Sequence, residues 1–235
     1  DINNVQFWYK KNNIVLDEIE LHVKSGECYG ILGHNGAGKS TLFKLIIGVL
    51  LPKKGSIFVS KSQNKNYEER GYISYMPENQ GIYEKLNAYD NLYFRAKISR
   101  LSKYEIHKQA QNLLEKFHLA KRAKDKEKVG IWSNGMKKRL SLACALISNP
   151  KLLILDEPTN GLDPESLYII NNMLEEMNNN GTTILISSHD LVTVQSICKQ
   201  FVILQNGKII HTGKIDNEND DLKQLYLDLT KSKGD

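Results

Sequence analysis

Residues 33–40, with the sequence GHNGAGKS, constrain the fold more than any other part of the chain. They follow an apolar segment, residues 29–32, that is typical of a β-strand. They precede a predicted helix that runs from residue 39 to about residue 50 and is stopped by Pro52. Glycines at these positions let the backbone curl so that successive N–H groups point inward, and a helix N-terminus adds positive potential. The pattern G-x-x-x-x-G-K-[ST] in this context predicts a loop that binds a nucleoside triphosphate.

Two polar residues at the end of this loop have predicted tasks. Lys39 is expected to reach the β- and γ-phosphates as a point charge, and Ser40 to bind Mg²⁺. The residues predicted to hold the nucleotide here are Gly33, His34, Asn35, Gly36, Ala37, Gly38, Lys39, Ser40 and Thr41.

Two neighbouring carboxylates follow a second apolar strand, residues 152–155. Ligands of a parallel sheet bind at the carboxyl ends of its strands, which is where Asp156 and Glu157 would lie. Two buried acids without a cation are costly, so a purely structural role is disfavoured. Asp156 is predicted to hold Mg²⁺, and Glu157 to accept a proton from the attacking water.

Four short motifs in a fixed order carry a family resemblance. They are SNGM at 133–136, DEPT at 156–159, GLDP at 161–164 and SHD at 188–190. With the phosphate-binding loop, the sequence resembles the ABC ATPase family from its first strands to about residue 213. The resemblance implies binding and hydrolysis of ATP with Mg²⁺. It also implies a head-to-tail dimer, in which each ATP lies between the loop of one copy and the signature segment of the other.

The resemblance also implies roles for individual residues. Ser133 and Gly135 match the signature motif, which faces the partner's γ-phosphate at the start of a helix. Asp163 matches the aspartate that reports on the opposite site. His189 matches the switch histidine, which donates to the γ-phosphate and orients the water, and so is catalytic together with Glu157.

Two neighbouring aromatic residues are candidates for the surface that contacts the adenine ring. Tyr9 is the predicted surface on which adenine stacks, with Trp8 as the rival, because strand alternation places only one of them at the site.

The sequence departs from the usual family pattern at two positions. Glu78 stands where the family usually has Gln, and as a carboxylate it can still bind Mg²⁺. Asn134 replaces a usual Gly. Both departures resemble a branch that serves bacterial two-subunit exporters, including those that protect producers of antimicrobial peptides.

The order of predicted strands and helices indicates an α/β fold. We expect a P-loop ATPase core with a mainly parallel sheet (residues 1–84 and 149–213), an N-terminal antiparallel β part and an inserted helical subdomain (residues 85–148). Together these form one ATPase domain, residues 1–213, and a helical tail follows at 214–235. The polar segment 61–70 and the charged segment 121–128 are predicted to be surface loops.

Composition limits the partners and the compartment. A net charge of +5 over 235 residues is mild, so it does not favour nucleic acid as a partner. The three cysteines lack CxxC spacing and lie in apolar segments, which favours buried reduced thiols and a cytosolic compartment. No run of 18 apolar residues and no signal peptide are visible.

The favoured function is therefore an ATP-hydrolysing subunit that powers transport, with export as the favoured direction. Its predicted partners are a second ATPase subunit, identical or different, and an integral membrane permease, at the cytoplasmic face of the membrane. The alternative is an ABC ATPase without a membrane partner, acting for example in cofactor assembly. A P-loop kinase is disfavoured by the signature segment and by Glu157.

Overall fold

The computed structural model describes residues 1–11, 13–59, 62–63, 72–215 and 222–231. The chain divides into two compact units. The first combines Asp1–Glu68 with Thr183–Asp235, and the second is Glu69–Thr182. Within the described residues, no helix has both the length and the apolar character that crossing a membrane requires.

The elements alternate between strands and helices along most of the chain. In chain order they are β1 (Ile2–Lys10), β2 (Asn13–Leu21), β3 (Cys28–Leu32), α1 (Lys39–Ile46), β4 (Lys54–Val59), β5 (Ser62–Gln63), β6 (Ile73–Met76), α2 (Ala88–Ile98), α3 (Lys103–Lys116), α4 (Ala120–Lys124), a short 3₁₀ helix (Val129–Ile131), α5 (Asn134–Leu146), β7 (Leu152–Asp156), α6 (Pro164–Asn179), β8 (Thr183–Ser188), α7 (Leu191–Ile197), β9 (Gln200–Gln205), β10 (Lys208–Lys214) and α8 (Leu222–Lys231).

The first unit contains an antiparallel sheet with the strand order β2-β1-β4-β5. The pairing of β1 with β2 shifts register repeatedly, and Asn4 and Glu18 have φ angles of 47° and 53°. These irregularities are bulges, which bend a strand and interrupt simple in–out alternation. Val5 and Phe7 nevertheless face the core, with 0% and 3% of their surfaces exposed.

The first unit also contains the predicted parallel strands. β3 pairs in parallel with β8 on one side and β9 on the other, and β9 continues antiparallel to β10. Every residue of β3 is buried, as expected for a strand that has neighbours on both edges. Helix α7 packs closely here, because a Cβ at Gly30 would lie 2.4 Å from Cγ1 of Val194.

The cysteines are buried free thiols, as predicted. Cys28 and Cys198 bring their Sγ atoms to 3.6 Å within the first unit. This contact, together with burial, raises the pKa of Cys198, and burial raises the pKa of Cys144 to about 12. Neither of these two thiols therefore carries a thiolate at neutral pH.

The second unit contains the parallel pair β6 and β7 and the helices α2 to α6. Met76 at the end of β6 lies opposite Leu155 in β7. Helix α5 is buried at every position from Lys138 to Leu146, so it is the central helix of this unit. The helices α2 to α5 are inserted between β6 and β7. The predicted α/β class, with its antiparallel N-terminal part and inserted helices, is confirmed, whereas the domain boundaries stay a prediction.

Two element predictions differ from the structure. The charged segment 121–128 is not wholly a loop, because α4 covers Ala120–Lys124. Leu119 and Ala123 turn inward with 0% and 3% exposure, so the lysines form the outer face of a short helix. The helix predicted over 39–50 ends at Ile46, and Gly48 follows at φ 75°. The predicted surface loop 61–70 falls outside the described residues except for the β5 strand.

Candidate functional site

The phosphate-binding loop runs from the end of β3 to the start of α1. Gly36 and Gly38 have φ angles of 84° and 111°, which side-chain-bearing residues rarely adopt. A Cβ at Gly33 would lie 2.4 Å from the carbonyl oxygen of Leu204, so only glycine fits there. At Gly36, by contrast, a Cβ would meet nothing within 4 Å, so this position is required for its backbone angle alone.

Lys39 lies on the inner side of this loop. Its side chain is 6% exposed, and its ammonium donates to the carbonyl oxygens of Gly33 at 2.6 Å and His34 at 3.3 Å. The first turn of α1 contains no acidic residue. An inward ammonium, glycine-rich backbone and an acid-free helix start all suit a polyphosphate anion, so the residues fit ATP.

The other loop residues differ in exposure. His34 is exposed, and its Nδ1 lies 2.7 Å from the carbonyl oxygen of Asn35, which keeps the imidazole at the loop surface. Asn35 is exposed, Ala37 is buried, and Ser40 is half-buried beside Lys39. Ser40 is therefore placed to offer its hydroxyl oxygen to a hard cation.

Tyr9 stands next to the same segment. Its hydroxyl oxygen is 3.4 Å from Oγ1 of Thr41, and its ring meets Phe7 edge-on with centroids 4.9 Å apart. Tyr9 is 60% exposed, whereas Trp8 is half-buried. The structure thus places the accessible ring of Tyr9 beside Thr41, directly after the phosphate-binding loop.

His189 leaves the first unit's sheet at the same edge as the phosphate-binding loop. Leu32 of β3 lies opposite Ser188 of β8 in a parallel pair, so Gly33 and His189 follow directly at neighbouring strand ends. His189 is exposed. The next residue, Asp190, caps α7 by accepting from the Val192 N–H at 3.1 Å, which anchors the turn.

The second unit brings its acids together at the ends of β6 and β7. Asp156 and Glu157 are 2% and 4% exposed. The Tyr75 hydroxyl donates to Oδ2 of Asp156 at 3.2 Å, and burial together with the charges of Asp156 and Glu78 raises the pKa of Tyr75. Glu78 itself is exposed, on the turn after β6. Tyr75 therefore stays a neutral donor that orients Asp156.

This acidic edge suits a magnesium ion. Asp156 and Glu78 offer carboxylate oxygens, the donor type that Mg²⁺ prefers. Among the residues that the structure describes, no three His, Cys, Asp or Glu side chains converge on one point. That is ordinary for Mg²⁺, which takes one or two protein carboxylates and completes its shell with water and phosphate oxygens.

Glu157 adopts an uncommon backbone conformation, with φ 51°. The turn that it begins is bonded to α5, because the Lys138 ammonium donates to the carbonyl oxygens of Glu157 at 2.9 Å and Asn160 at 2.6 Å. Lys138 was not singled out from the sequence. The sequence does contain a signal for it, because Lys138 has helical spacing with Leu142 and Ala145 and therefore shares their buried face. A lysine on a buried face needs hydrogen-bond acceptors.

The signature segment forms the first turn of α5. Ser133 is the N-cap, and its hydroxyl oxygen accepts from the Met136 N–H at 3.2 Å, so its own hydrogen stays available for another acceptor. Ser133 is exposed and Gly135 is buried. No acidic residue lies in this turn, which suits an anion.

Gly135 lies directly against the start of α6. A Cβ there would lie 2.4 Å from Oγ of Ser166 and 2.5 Å from Oδ2 of Asp163. Asp163 caps α6 by accepting from both the N–H and the hydroxyl of Ser166, each at 2.8 Å. These bonds lower the pKa of Asp163, so it is ionised at neutral pH.

Asn134 joins the segments on either side of it, a role that the sequence did not reveal. Its Oδ1 accepts from Nε2 of Gln80 at 2.7 Å, and its Nδ2 donates to the carbonyl oxygen of Gly161 at 3.2 Å. A glycine in this position could make neither bond. One side chain thereby links the loop after β6 to the loop before α6.

The predicted site residues therefore form one group in each unit. The first unit holds Tyr9, the phosphate-binding loop and His189; the second holds Glu78, Ser133, Gly135, Asp156, Glu157 and Asp163.

Comparison with known proteins gives the family. Residues 16–160 match the family described as ABC transporter. The chain is 36% identical over 215 residues to the linearmycin resistance ATP-binding protein LnrL of Bacillus subtilis (strain 168), covering 89% of this chain and 67% of that protein. It is 34% identical over 236 residues to the ABC-type transporter ATP-binding protein EcsA of the same strain, covering 93% and 92%. Several other curated relatives are longer, and the chain spans 66 to 73% of their length.

A solved structure agrees with this assignment over almost the whole chain. It is described as the ATP-binding subunit of an ABC transporter, is 32% identical, and superposes with a TM-score of 0.87 over 97% of this chain and 98% of that one. The motifs, the fold and the relatives lead to one conclusion: the chain belongs to the ABC transporter family as an ATP-binding subunit, an ABC ATPase.

Proposed function

We propose that this chain binds and hydrolyses ATP as one half of a head-to-tail dimer, and that it thereby drives export through a separate integral membrane subunit. The observation that carries the proposal is the buried carboxylate of Glu157, one residue beyond Asp156 at the end of β7. A buried acid next to a metal-binding carboxylate can accept a proton from water, which is the chemistry that hydrolysis needs.

The first unit supplies the proposed nucleotide-binding surface. The loop N–H groups and the N-terminus of α1 surround the phosphates, and Lys39 exchanges its loop carbonyls for phosphate oxygens. Tyr9 presents its ring to adenine. The residues we assign as Mg²⁺ ligands are Ser40 in this unit and, in the second unit, Asp156 and Glu78. Mg²⁺ would neutralise charge on the phosphate oxygens when bound.

Two residues are assigned to the hydrolytic step. Glu157 takes the proton of the attacking water, and His189 donates to the terminal phosphate oxygens and orients the water. Asp156 offers one carboxylate oxygen to the metal, while the Tyr75 hydroxyl donates to the other. The two adjacent acids are thus assigned different tasks, Asp156 as a metal ligand and Glu157 as the base.

The dimer is proposed because the start of α5 carries hydrogen-bond donors and no acidic residue, which suits an anion. Ser133 offers a hydroxyl hydrogen, Gly135 a backbone N–H, and the helix N-terminus its dipole. These groups would donate to the terminal phosphate of the ATP that is bound to the partner's loop. Asp163, on the adjacent turn, would report on the state of that site. Each ATP then lies between two copies of the chain.

Export is the direction we favour, for two reasons. Asn134 and Glu78 depart from the usual family pattern as they do in the exporter branch, and LnrL, the relative at 36% identity, is named for resistance. The partner would be an integral membrane permease at the cytoplasmic face of the membrane. Its contact would include the loop after β6 and the start of α2.

A glutamine substitution tests the hydrolytic assignment. We expect Glu157→Gln to bind ATP with unchanged affinity and to lose about 10²–10⁴-fold in turnover, since this is the usual contribution of a general base. Glu175→Gln, an exposed glutamate on α6, is the matched control and should hydrolyse at the unmutated rate. Equilibrium binding and steady-state phosphate release measure the two properties.

The same variant tests the dimer. Because binding without hydrolysis keeps the nucleotide in place, Glu157→Gln protein should elute as a dimer at saturating ATP. A monomer under these conditions would contradict the head-to-tail arrangement, and unchanged turnover would contradict the assignment of the base. ATP-dependent efflux from vesicles containing the permease tests the direction of transport.

A further inference from the structure

Lys138 is a charged residue in an uncommon setting. It lies in the second turn of α5 with 3% of its surface exposed, and its ammonium is bonded to two backbone carbonyl oxygens. Burial lowers the pKa of Lys138, while the charges of Glu157 and Glu78 act in the opposite direction. A buried ammonium is costly, so its position among these particular acceptors needs an explanation.

The two acceptors belong to the two ends of one turn. The carbonyl of Glu157 begins the turn and that of Asn160 ends it, and the ammonium reaches them at 2.9 and 2.6 Å. Within the turn itself, the Asn160 N–H reaches the Glu157 oxygen only at 3.5 Å, a weak bond. The lysine therefore closes the turn more firmly than the turn's own backbone does.

The same turn contains the strained residue. Glu157 has φ 51°, a conformation that a non-glycine residue keeps only when its surroundings impose it. The backbone angles at Glu157 determine the direction in which its side chain leaves the chain. A group that fixes this carbonyl consequently fixes the direction of the carboxylate.

We propose that Lys138 is a positioning residue for hydrolysis: by holding the carbonyl oxygens of Glu157 and Asn160, it sets the direction in which Glu157 presents its carboxylate to water. The inference rests on the proposed function, in which Glu157 is the base. It adds a residue of the signature helix to the machinery of the chain's own catalytic turn.

The neighbouring lysine supplies a matched control. Lys137 lies on the same helix, but its ammonium pairs with the Glu84 carboxylate at 2.7 Å instead of reaching the turn. Lys137→Met and Lys138→Met therefore remove the same chemical group from adjacent positions. Only the second removes the bonds to residues 157 and 160.

The first measurement separates kcat from binding. A misplaced catalytic group costs on the order of 10²-fold in rate, so Lys138→Met should lose about 10- to 100-fold in kcat with little change in KM or in ATP affinity. Lys138→Arg keeps a charged donor and should recover most of the rate. Lys137→Met should retain the unmutated kcat. A purely structural role of Lys138 would instead alter binding and turnover together.

The second measurement does not depend on activity. Hydrogen exchange of peptides covering residues 156–163 should become faster in Lys138→Met and stay unchanged in Lys137→Met, because only the former frees the turn. Unfolding midpoints of all variants establish that they are folded. Lys138→Gln, which keeps a polar head group, takes the place of Lys138→Met should the latter fail to fold.

A double-mutant cycle decides how Lys138 acts. If it works through Glu157, then adding Lys138→Met to Glu157→Gln should not lower the residual single-turnover rate further. An additive loss, or unchanged kcat and hydrogen exchange in Lys138→Met, would overturn the inference. Unchanged turnover in Glu157→Gln alone would overturn the proposed function instead, so the two failures are distinct.

Discussion

Asn134 shows how much one side chain can change a motif. The ABC ATPase family usually has glycine at this position, which contributes only backbone. Here the amide uses its oxygen to accept from Gln80 and its nitrogen to donate to the Gly161 carbonyl. The loop after β6, the start of α5 and the loop before α6 are thereby tied together by side-chain bonds.

This tie can be measured by substitution. We expect Asn134→Gly to lower the free energy of unfolding by about 0.5–1.5 kcal/mol, because a typical net hydrogen bond contributes about that much and both bonds are exposed to water. Urea denaturation measures the loss. A cycle between Asn134→Ala and Gln80→Ala should give a coupling of roughly 0.5 kcal/mol or more. Strictly additive effects would show that the bond to Gln80 contributes nothing.

At the residue scale, the sequence predicted the groups that follow fixed spacings and missed those that depend on a partner. Lys39, Asp156 and Glu157 are predictable because a loop or a strand end dictates their positions. Lys138 and Asn134 are not, because nothing in a linear pattern says which carbonyl a distant side chain will reach. Glu157 lies 19 residues from Lys138 in the sequence, and Gly161 lies 27 residues from Asn134.

At the scale of elements, the close contact between the starts of α5 and α6 depends on the missing side chain of Gly135. A Cβ would come within 2.5 Å of two oxygens that belong to the capping arrangement of α6. Neither oxygen is free to move, because Asp163 accepts two bonds from Ser166. The two helices therefore share one rigid corner.

Gly135→Ala tests this corner. Overpacking of a well-packed contact typically costs about 1–3 kcal/mol, and each kcal/mol shifts Tm by roughly 2–4 °C in a domain of this size. We expect a fall of that order in thermal unfolding. Adding Ser166→Ala removes the nearest oxygen and should recover part of the loss. If the second substitution lowers Tm further, the clash is not the cause.

Elements were easier to predict where burial and propensity agree. β3 and β7 are short apolar runs bounded by turns, and they were identified as strands directly. The mixed charge of segment 121–128 predicts a solvated loop. The buried pair Leu119 and Ala123 is too short a pattern to reveal α4 without knowledge of the surface against which it packs.

At the scale of the whole molecule, the proposed dimer makes each active site composite. Mixing two inactive variants tests it. Lys39→Ala damages the phosphate-binding loop, and Ser133→Arg damages the signature segment that serves the other copy. A mixed dimer retains one site in which both halves are undamaged, so activity should return on mixing although each protein alone has little.

The amount that returns is also informative. Random mixing gives about half mixed dimers, each with one of two sites intact, so independent sites would restore at most about a quarter of the unmutated activity. Steady-state ATPase assays of the mixture measure it. No recovery, when sizing shows that mixed dimers form, would mean that the two sites must act together.

The arrangement of the first two turns of α5 suggests a way to inhibit ATP hydrolysis. Its first turn is exposed at Ser133, while its second turn holds the carbonyl oxygens of the Glu157 turn through Lys138. A small molecule wedged under the start of this helix would tilt it and redirect the Glu157 carboxylate without touching the phosphate-binding loop. Because the same turn is proposed to contact the partner's ATP, such a compound would lower the maximal rate and weaken ATP-dependent dimerisation together, while the chain's own phosphate-binding loop would still bind ATP.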